Sequence, residues 1–353
     1  MIKQETYSKS HLENIKSNYP RVDIQLIEKT VFAFGLLELL SLSNLPFIFK
    51  GGTSLLLVLS NPYCLSTDID ILIEPDLLIE KYLPIDGTSH PFIRIEEDFR
   101  TKRNSMLKRH FRFVYLSPMT NRENSILLDV LYEHHGYRTL KKVLIQSAFL
   151  SLDDTNPAFV VIPSTGSLLG DKLTAFAPNT IGIPFQYESK SGLLINKTLE
   201  VAKQFIDIYA LLMQEIDFLD VIESYLKIAN DEIRYRGLSI TAKDGLLDTF
   251  SSTLAIISKG KYLPDQYRLL IEGFDKLQNH VLGISVNGEA AVLYSASIML
   301  LIAKIFTNET TLSCPNQSPI IDQKYRFINK LRKRDQEAFN LAAISLRLIY
   351  EIN

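Results

Sequence analysis

Two aspartates separated by one residue, Asp68 and Asp70, stand in the apolar stretch TDIDILIE, residues 67–74. In a strand, residues i and i+2 point to one side, roughly 7 Å apart at about 3.3 Å per residue. Two ionised carboxylates that close repel, unless a cation lies between them or one keeps its proton. Magnesium, which accepts carboxylate and phosphate oxygens together, is the usual resolution. Asp129 adds a third carboxylate, within ILLDVLY. An aspartate in mid-strand is disfavoured and, if buried, costly unless paired or metal-bound. Asp68, Asp70 and Asp129 are therefore read as a metal site. The competing readings are a solvated strand edge for the pair and an N–H acceptor at a bulge for Asp129.

Upstream lies KGGTS, residues 50–54. Gly51 and Gly52 lack Cβ atoms, so the backbone there can approach a ligand and take positive φ. A helix starting at Thr53 would present free N–H groups and a positive dipole end to a phosphate. Thr53 or Ser54 would cap it. A P-loop is excluded, because no Gly-Lys-Ser/Thr follows at the required spacing. Lys50 reads as a surface lysine. Further on, Lys172 (GDKLTAFA) and Lys203 (EVAKQFIDIYALL) lie on apolar helical stretches. Both could face a cleft and neutralise a triphosphate. The plainer readings are an i,i+4 pair of Lys203 with Asp207 and a Lys172 head reaching solvent.

The elements that must hold these residues follow from hydrophobic periodicity. Residues 22–42 read as a largely buried helix, PFIFKGG as a short strand, and TSLLLVLS as one or two helical turns closed by Asn61-Pro62. TDIDILIE, HFRFVYLS (110–117) and SILLDVLYE (125–133) read as strands. MTNREN between the last two is a hairpin connection, so the sheet is not purely parallel. From about Gly166 onward seven stretches carry apolar residues at three- and four-residue spacing. The expected class is α+β in front, residues 1–165, and all-helical behind, residues 166–353. Residues 176–192, FAPNTIGIPFQYESKSG, read as a surface loop.

The chain has 353 residues, 46% of them hydrophobic, with a formal net charge of -2. That composition supports a sizeable core, and the length favours two domains. The charge excludes a whole-protein field for nucleic acid or membrane. Nucleic-acid contact would need a local patch. Two basic clusters offer one: Arg100, Lys102, Arg103, Lys108, Arg109, Arg112 with Phe99 and Phe111, and Lys324, Arg326, Lys330, Arg332, Lys333, Arg334 with Tyr325 and Phe327. The two cysteines, Cys64 and Cys314, are far apart and exclude a disulfide framework or a cysteine zinc site. The polar N-terminus is no signal peptide. The apolar run at 290–303 reads as a buried helix, too short to span a bilayer. A cytoplasmic protein without membrane contact is expected.

Taken in order, KGGTSL, STDIDILI, GDKLTAF and KQFID resemble the AbiEii/AbiGii nucleotidyltransferase toxins of type IV toxin–antitoxin and abortive-infection systems, mycobacterial MenT toxins among them. The resemblance covers roughly residues 30–212. It implies a DNA polymerase β-like nucleotidyltransferase domain with a mixed sheet, followed by a helical domain. It implies Mg2+-dependent transfer of NMP from an NTP to RNA, a tRNA 3′ end foremost, and a cognate antitoxin. By motif it makes Gly51, Gly52, Thr53 and Ser54 the nucleotide-facing turn, and Asp68 and Asp70 the metal site. In the reaction so implied, Asp129, which no motif covers, would complete a second metal position or accept the proton of the attacking hydroxyl. Lys172 and Asp207 fall on catalytic positions, and Lys172 and Lys203 on nucleotide-binding ones. Three positions depart from the family pattern: Cys64 and Val201 stand where arginines are usual, and Gln204 where an aspartate is common. A small-molecule acceptor, and a non-catalytic nucleotide-binding protein, are the rival readings.

Overall fold

A computed structural model describes residues 1–60, 63–83, 90–98, 108–153, 155–189, 191–278, 280–282, 286, 288–309 and 314–352. The chain divides into two compact units, residues 1–168 with 279–282, and residues 169–278 with 283–353. The return of residues 279–282 to the first unit has no counterpart in the sequence expectation of a single break.

The first unit opens with α1 (Lys9–Asn18) and α2 (Ile24–Leu42). Asp23 caps α2 by accepting from the Gln25 N–H at 2.7 Å. Then come β1 (Ile48–Lys50), α3 (Gly51–Val58), β2 (Ile69–Ile73), β3 (Arg94–Glu97), β4 (Lys108–Leu116) and β5 (Glu123–Tyr132). The five strands form one sheet in the order β1-β2-β5-β4-β3. Only the β2–β5 pairing is parallel; the others are antiparallel. The expected hairpin is the β4–β5 pair, and the class is the expected α+β. A second antiparallel pair, β6 (Leu140–Leu144) with β7 (Phe159–Pro163), completes the unit's strands among the described residues.

Period-two burial fixes the faces of the sheet. Ile69, Ile71 and Ile73 of β2 and Ile126, Leu128 and Val130 of β5 are buried, whereas Asp70 and Asp129 are half-buried. Phe32 of α2 stacks on Tyr115 of β4 with ring centroids 3.7 Å apart. The Glu28 carboxylate, in the buried face of α2, accepts from the Tyr115 hydroxyl at 2.9 Å and the Ser117 hydroxyl at 2.8 Å. Those two bonds make its burial tolerable.

The second unit is mostly helical. α4 (Thr165–Ala175) spans the division. β8 (Gln186–Glu188) and β9 (Leu194–Asn196) then pair antiparallel. The expected irregular loop thus contains one arm of a hairpin. Its first part is pinned instead by Asp248, which accepts from the Asn179 N–H and side-chain amide, both at 2.7 Å, and from the Thr180 hydroxyl at 2.9 Å. Helices α5 (Thr198–Leu212), α6 (Phe218–Arg236), α7 (Ala242–Ile257), α8 (Pro264–Leu277), α9 (Ala290–Thr307) and α10 (Gln336–Tyr350) follow. With eighteen residues, α9 is longer than its apolar run suggested, and it is long and apolar enough to cross a membrane. Here it packs on α7 and α10, with Ala291, Ser295, Ile298, Met299 and Ile302 buried.

Candidate active site

Four strands side by side bring four residues into one line across the sheet. Lys50 of β1 lies opposite Asp70 of β2, Asp70 beside Asp129 of β5, and Asp129 opposite His110 of β4. Directly paired residues project to the same face. Asp68, one residue before β2 begins, is exposed. Two of the three expected carboxylates are therefore next neighbours in the ladder, although fifty-nine positions separate them in sequence.

The sequence motifs do not single out His110. Its Nδ1 lies 2.7 Å from Asp129 Oδ1. An ionised carboxylate can only accept, which assigns the hydrogen to Nδ1. The His110 side chain is 15% exposed and that of Asp129 37%, so the carboxylate is reachable while its partner is mostly covered. The one signal that points to His110 is its place in HFRFVYL, where a strand's alternation puts a titratable group among aromatics.

The glycine turn is built more tightly than expected. α3 begins at Gly51, with Lys50 as its N-terminal flank and no side-chain cap. Thr53 and Ser54 are buried inside its first turn and do not cap it. The Thr53 hydroxyl donates to the Asp68 carbonyl at 2.6 Å, tying the helix to the residue that precedes β2. The Ser54 hydroxyl donates to the Gly51 carbonyl at 2.8 Å. Of the two glycines only Gly51 takes positive φ, at 79°. A Cβ on Gly51 would lie 2.0 Å from Asp70 Oδ2. Glycine is thus required there by the aspartate it accommodates. The first-turn N–H groups of α3 have no acceptor within the helix, as at every helix start.

In the second unit, Lys172 of α4 and Asp207 of α5 form a buried ion pair. Lys172 Nζ donates to Asp207 Oδ2 at 2.8 Å and to Gln204 Oε1 at 3.0 Å. Their side chains are 10% and 6% exposed. The Lys172 head is therefore not in solvent, and Asp207 pairs with Lys172 rather than with Lys203. Lys203 is half-buried on α5.

Among the described residues no three His, Cys, Asp or Glu side chains are gathered into a ready metal cluster. The donors do suit a hard divalent cation: they are carboxylate oxygens, and Asp70 and Asp129 are adjacent.

A family model for the AbiEii nucleotidyl transferase toxin of type IV toxin–antitoxin systems matches residues 36–250, well over half of the chain. The chain belongs to the AbiEii family. It is a nucleotidyltransferase of the toxin class. Two crystal structures from Helicobacter pylori are similar in outline. One, of a protein described as a nucleotidyltransferase, is 16% identical, covers 81% of this chain and 97% of its own, and has a TM-score of 0.42. The other, JHP933, is 12% identical, with 81% and 96% covered and a TM-score of 0.35. Neither likeness bears on the assignment at that score. No curated protein matches the chain.

The departures from the AbiEii pattern have local explanations. Cys64 is buried and forms a β-bridge with Val281, while the Leu65 N–H donates to the His280 carbonyl at 3.3 Å and the Leu282 N–H to the Tyr63 carbonyl at 2.8 Å. The Cys64 side chain is buried there, where a guanidinium would need a charged partner. Val201 is fully buried in α5. Gln204 supplies Lys172 with a neutral acceptor beside Asp207, where a second carboxylate would add charge to the pair.

The basic clusters of this AbiEii member fare differently. Of the first, Phe99, Arg100, Lys102 and Arg103 lie outside the described residues. Arg109 is ion-paired with Glu97 at 2.8 Å and with Glu80, and Arg112 with Glu96 at 2.9 Å. Those hydrogen bonds, Glu97's foremost, hold the Arg109 guanidinium further toward its charged form. Phe111 is buried. The described part is thus largely neutralised. In the second cluster Lys324, Arg326, Lys330, Arg332, Lys333 and Arg334 are all exposed or half-exposed. Lys261, from the turn between α7 and α8, meets the Lys330 ammonium, which pushes the Lys261 pKa down. Lys324 Nζ lies 5.0 Å from the Tyr325 ring centroid and 5.9 Å from those of Tyr262 and Tyr350. Tyr325 is buried and is no open stacking platform.

Proposed function

We propose that this toxin is a divalent-metal-dependent nucleotidyltransferase that moves NMP from an NTP onto RNA in the cytoplasm, restrained by a cognate antitoxin. The observation that carries the metal dependence is the side-by-side register of Asp70 and Asp129, with the exposed Asp68 two residues before Asp70. Three carboxylates together suit a cation better than they suit one another. Asp68, Asp70 and Asp129 would hold Mg2+, which supplies charge neutralisation for triphosphate and leaving group.

The chain's own residues have these roles in the reading. The Gly51 turn brings α3's N–H groups up to phosphate oxygens. An acceptor hydroxyl oxygen forms a bond to the α-phosphorus, the bond to the β-phosphate oxygen breaks, and pyrophosphate leaves. The hydroxyl proton passes to a carboxylate, which is Asp129 if Asp129 does not itself complete the metal site. By the family motifs Lys172, hydrogen-bonded to Asp207 and Gln204, and Lys203 are candidates for binding nucleotide.

RNA as acceptor is supported by the second basic cluster with Lys261, where cations crowd together at the surface. Lys261 and that cluster lie beyond the 36–250 family match.

The test is incubation with each α-labelled NTP, Mg2+ and either total tRNA or a metabolite extract, read by mass spectrometry. Label on tRNA supports the reading. Label on small molecules only would move the acceptor class, and no label with any NTP would overturn the reaction.

A further inference from the structure

Asp129 is held from one side only. Its Oδ1 accepts from His110 Nδ1 at 2.7 Å, and among the described residues Oδ2 has no hydrogen-bond partner. The acceptor of that single bond is the carboxylate beside Asp70. A lone Asp side chain on a strand can turn about its terminal torsion at little cost. A second group that fixes one oxygen fixes the direction of the other. In metal sites, residues that hydrogen-bond a ligand orient it, and losing them typically costs about 10–100-fold in metal affinity.

We infer that His110 is a positioning residue for the nucleotidyl-transfer site: by holding Oδ1 it sets Asp129 so that Oδ2 is offered to a divalent cation shared with Asp70. The inference rests on the metal-dependent reading above. Two structural facts make it more than a cross-strand pair. His110 stands on the strand next to β5 and Asp70 on the strand at the other side, so Asp129 is flanked in one row by the group that orients it and the group it would act with. His110 is also the more covered of the two, as a fixed support would be, while Asp129 stays reachable.

The experiment uses the full chain stripped of metal. Mn2+ binding is followed by electron paramagnetic resonance for wild type, His110→Ala, His110→Asn, Asp129→Ala and Asp70→Ala. Label transfer is then measured across Mg2+ concentrations. Expected are Mn2+ binding about 10-fold or more weaker in His110→Ala, with Asp129→Ala at least as weak. Half-saturating Mg2+ should rise by more than the maximal rate falls. His110→Asn, whose amide can donate from nearly the same place, should recover most of the affinity. Thermal unfolding of each variant shows whether the sheet survives, and His110→Phe serves if His110→Ala does not fold. Mn2+ affinity within twofold of wild type in a folded His110→Ala or His110→Phe, or no loss in Asp129→Ala, overturns the inference. If Asp70→Ala also binds Mn2+ like wild type, it is the metal-dependent reading itself that fails.

Discussion

Asp70 and Asp129 are register partners in the one parallel pairing of the main sheet. Parallel partners share a face at strand spacing, about 4.8 Å. Ordinary sheets avoid like charges directly opposite. Here the row continues to Lys50 on one side and His110 on the other, which sets cationic or donor groups outside two acidic ones.

If the pair serves a cation, Asp70→Asn should cost roughly 100-fold or more in label transfer. Urea unfolding of the same variant shows whether the sheet survives the change. A variant that transfers label like wild type would end the metal-site assignment.

Gly51→Ala should be harmful for two reasons that add. Its φ of 79° costs alanine about 1–2 kcal/mol. Its Cβ would also have to displace the Asp70 carboxylate, 2.0 Å away. Transfer should fall further than the lost stability explains. Unfolding and activity measured on one preparation check this, and wild-type transfer would contradict it.

Lys172→Met leaves Asp207 buried without its cation. Removing one partner of a buried pair typically costs about 3–5 kcal/mol. Lys172→Met with Asp207→Leu should regain most of that in urea unfolding. Equal destabilisation in single and double variants would show that the two residues do not act as a pair.

Burial raises the Glu38 pKa, against the bond from the Ile2 N–H and the positive N-terminus, which lower it. A raised folded-state value gives stability that is full below the ordinary carboxylate pKa, about 4.3, and is lost as pH rises through the folded value. Glu38→Gln keeps an acceptor for the Ile2 N–H, 2.6 Å from Oε1 in the wild type. Relative to that variant, wild type should lose stability from about pH 4 upward. Parallel urea midpoints from pH 4 to 7.5 would refute it.

Lys261→Glu with Lys330→Glu should weaken tRNA binding and flatten its salt dependence. Each phosphate of single-stranded RNA that the protein no longer neutralises reduces the slope by about 0.7. KM for tRNA should rise while kcat stays near wild type. An unchanged slope would remove this patch from the acceptor surface.

The local elements are legible in the sequence because they follow from periodicity and turn chemistry. TDIDILIE and SILLDVLYE alternate, and each is a strand with its aspartate on the less buried face. The α+β order, the β4–β5 hairpin and the family are legible for the same reason, since motifs are local strings. Less legible is anything that depends on which strand lies beside which. No period in the sequence says that β5 returns parallel to β2, yet that pairing alone brings Asp129 next to Asp70, and the β4–β5 register brings His110 next to Asp129. The partner of Asp207 is of the same kind. Sequence offers Lys203 four residues away, while helix packing delivers Lys172 from another helix. By sequence Cys64 is a missing arginine; in the fold it is a buried residue bridged to Val281. The sequence by itself determined the residue types, the strand faces and a glycine turn free to take positive φ near position 51, whereas the Asp70 carboxylate that requires that glycine is a tertiary neighbour. Tertiary structure alone decided which charges meet, because pairing energies act through space between segments that the chain order does not relate.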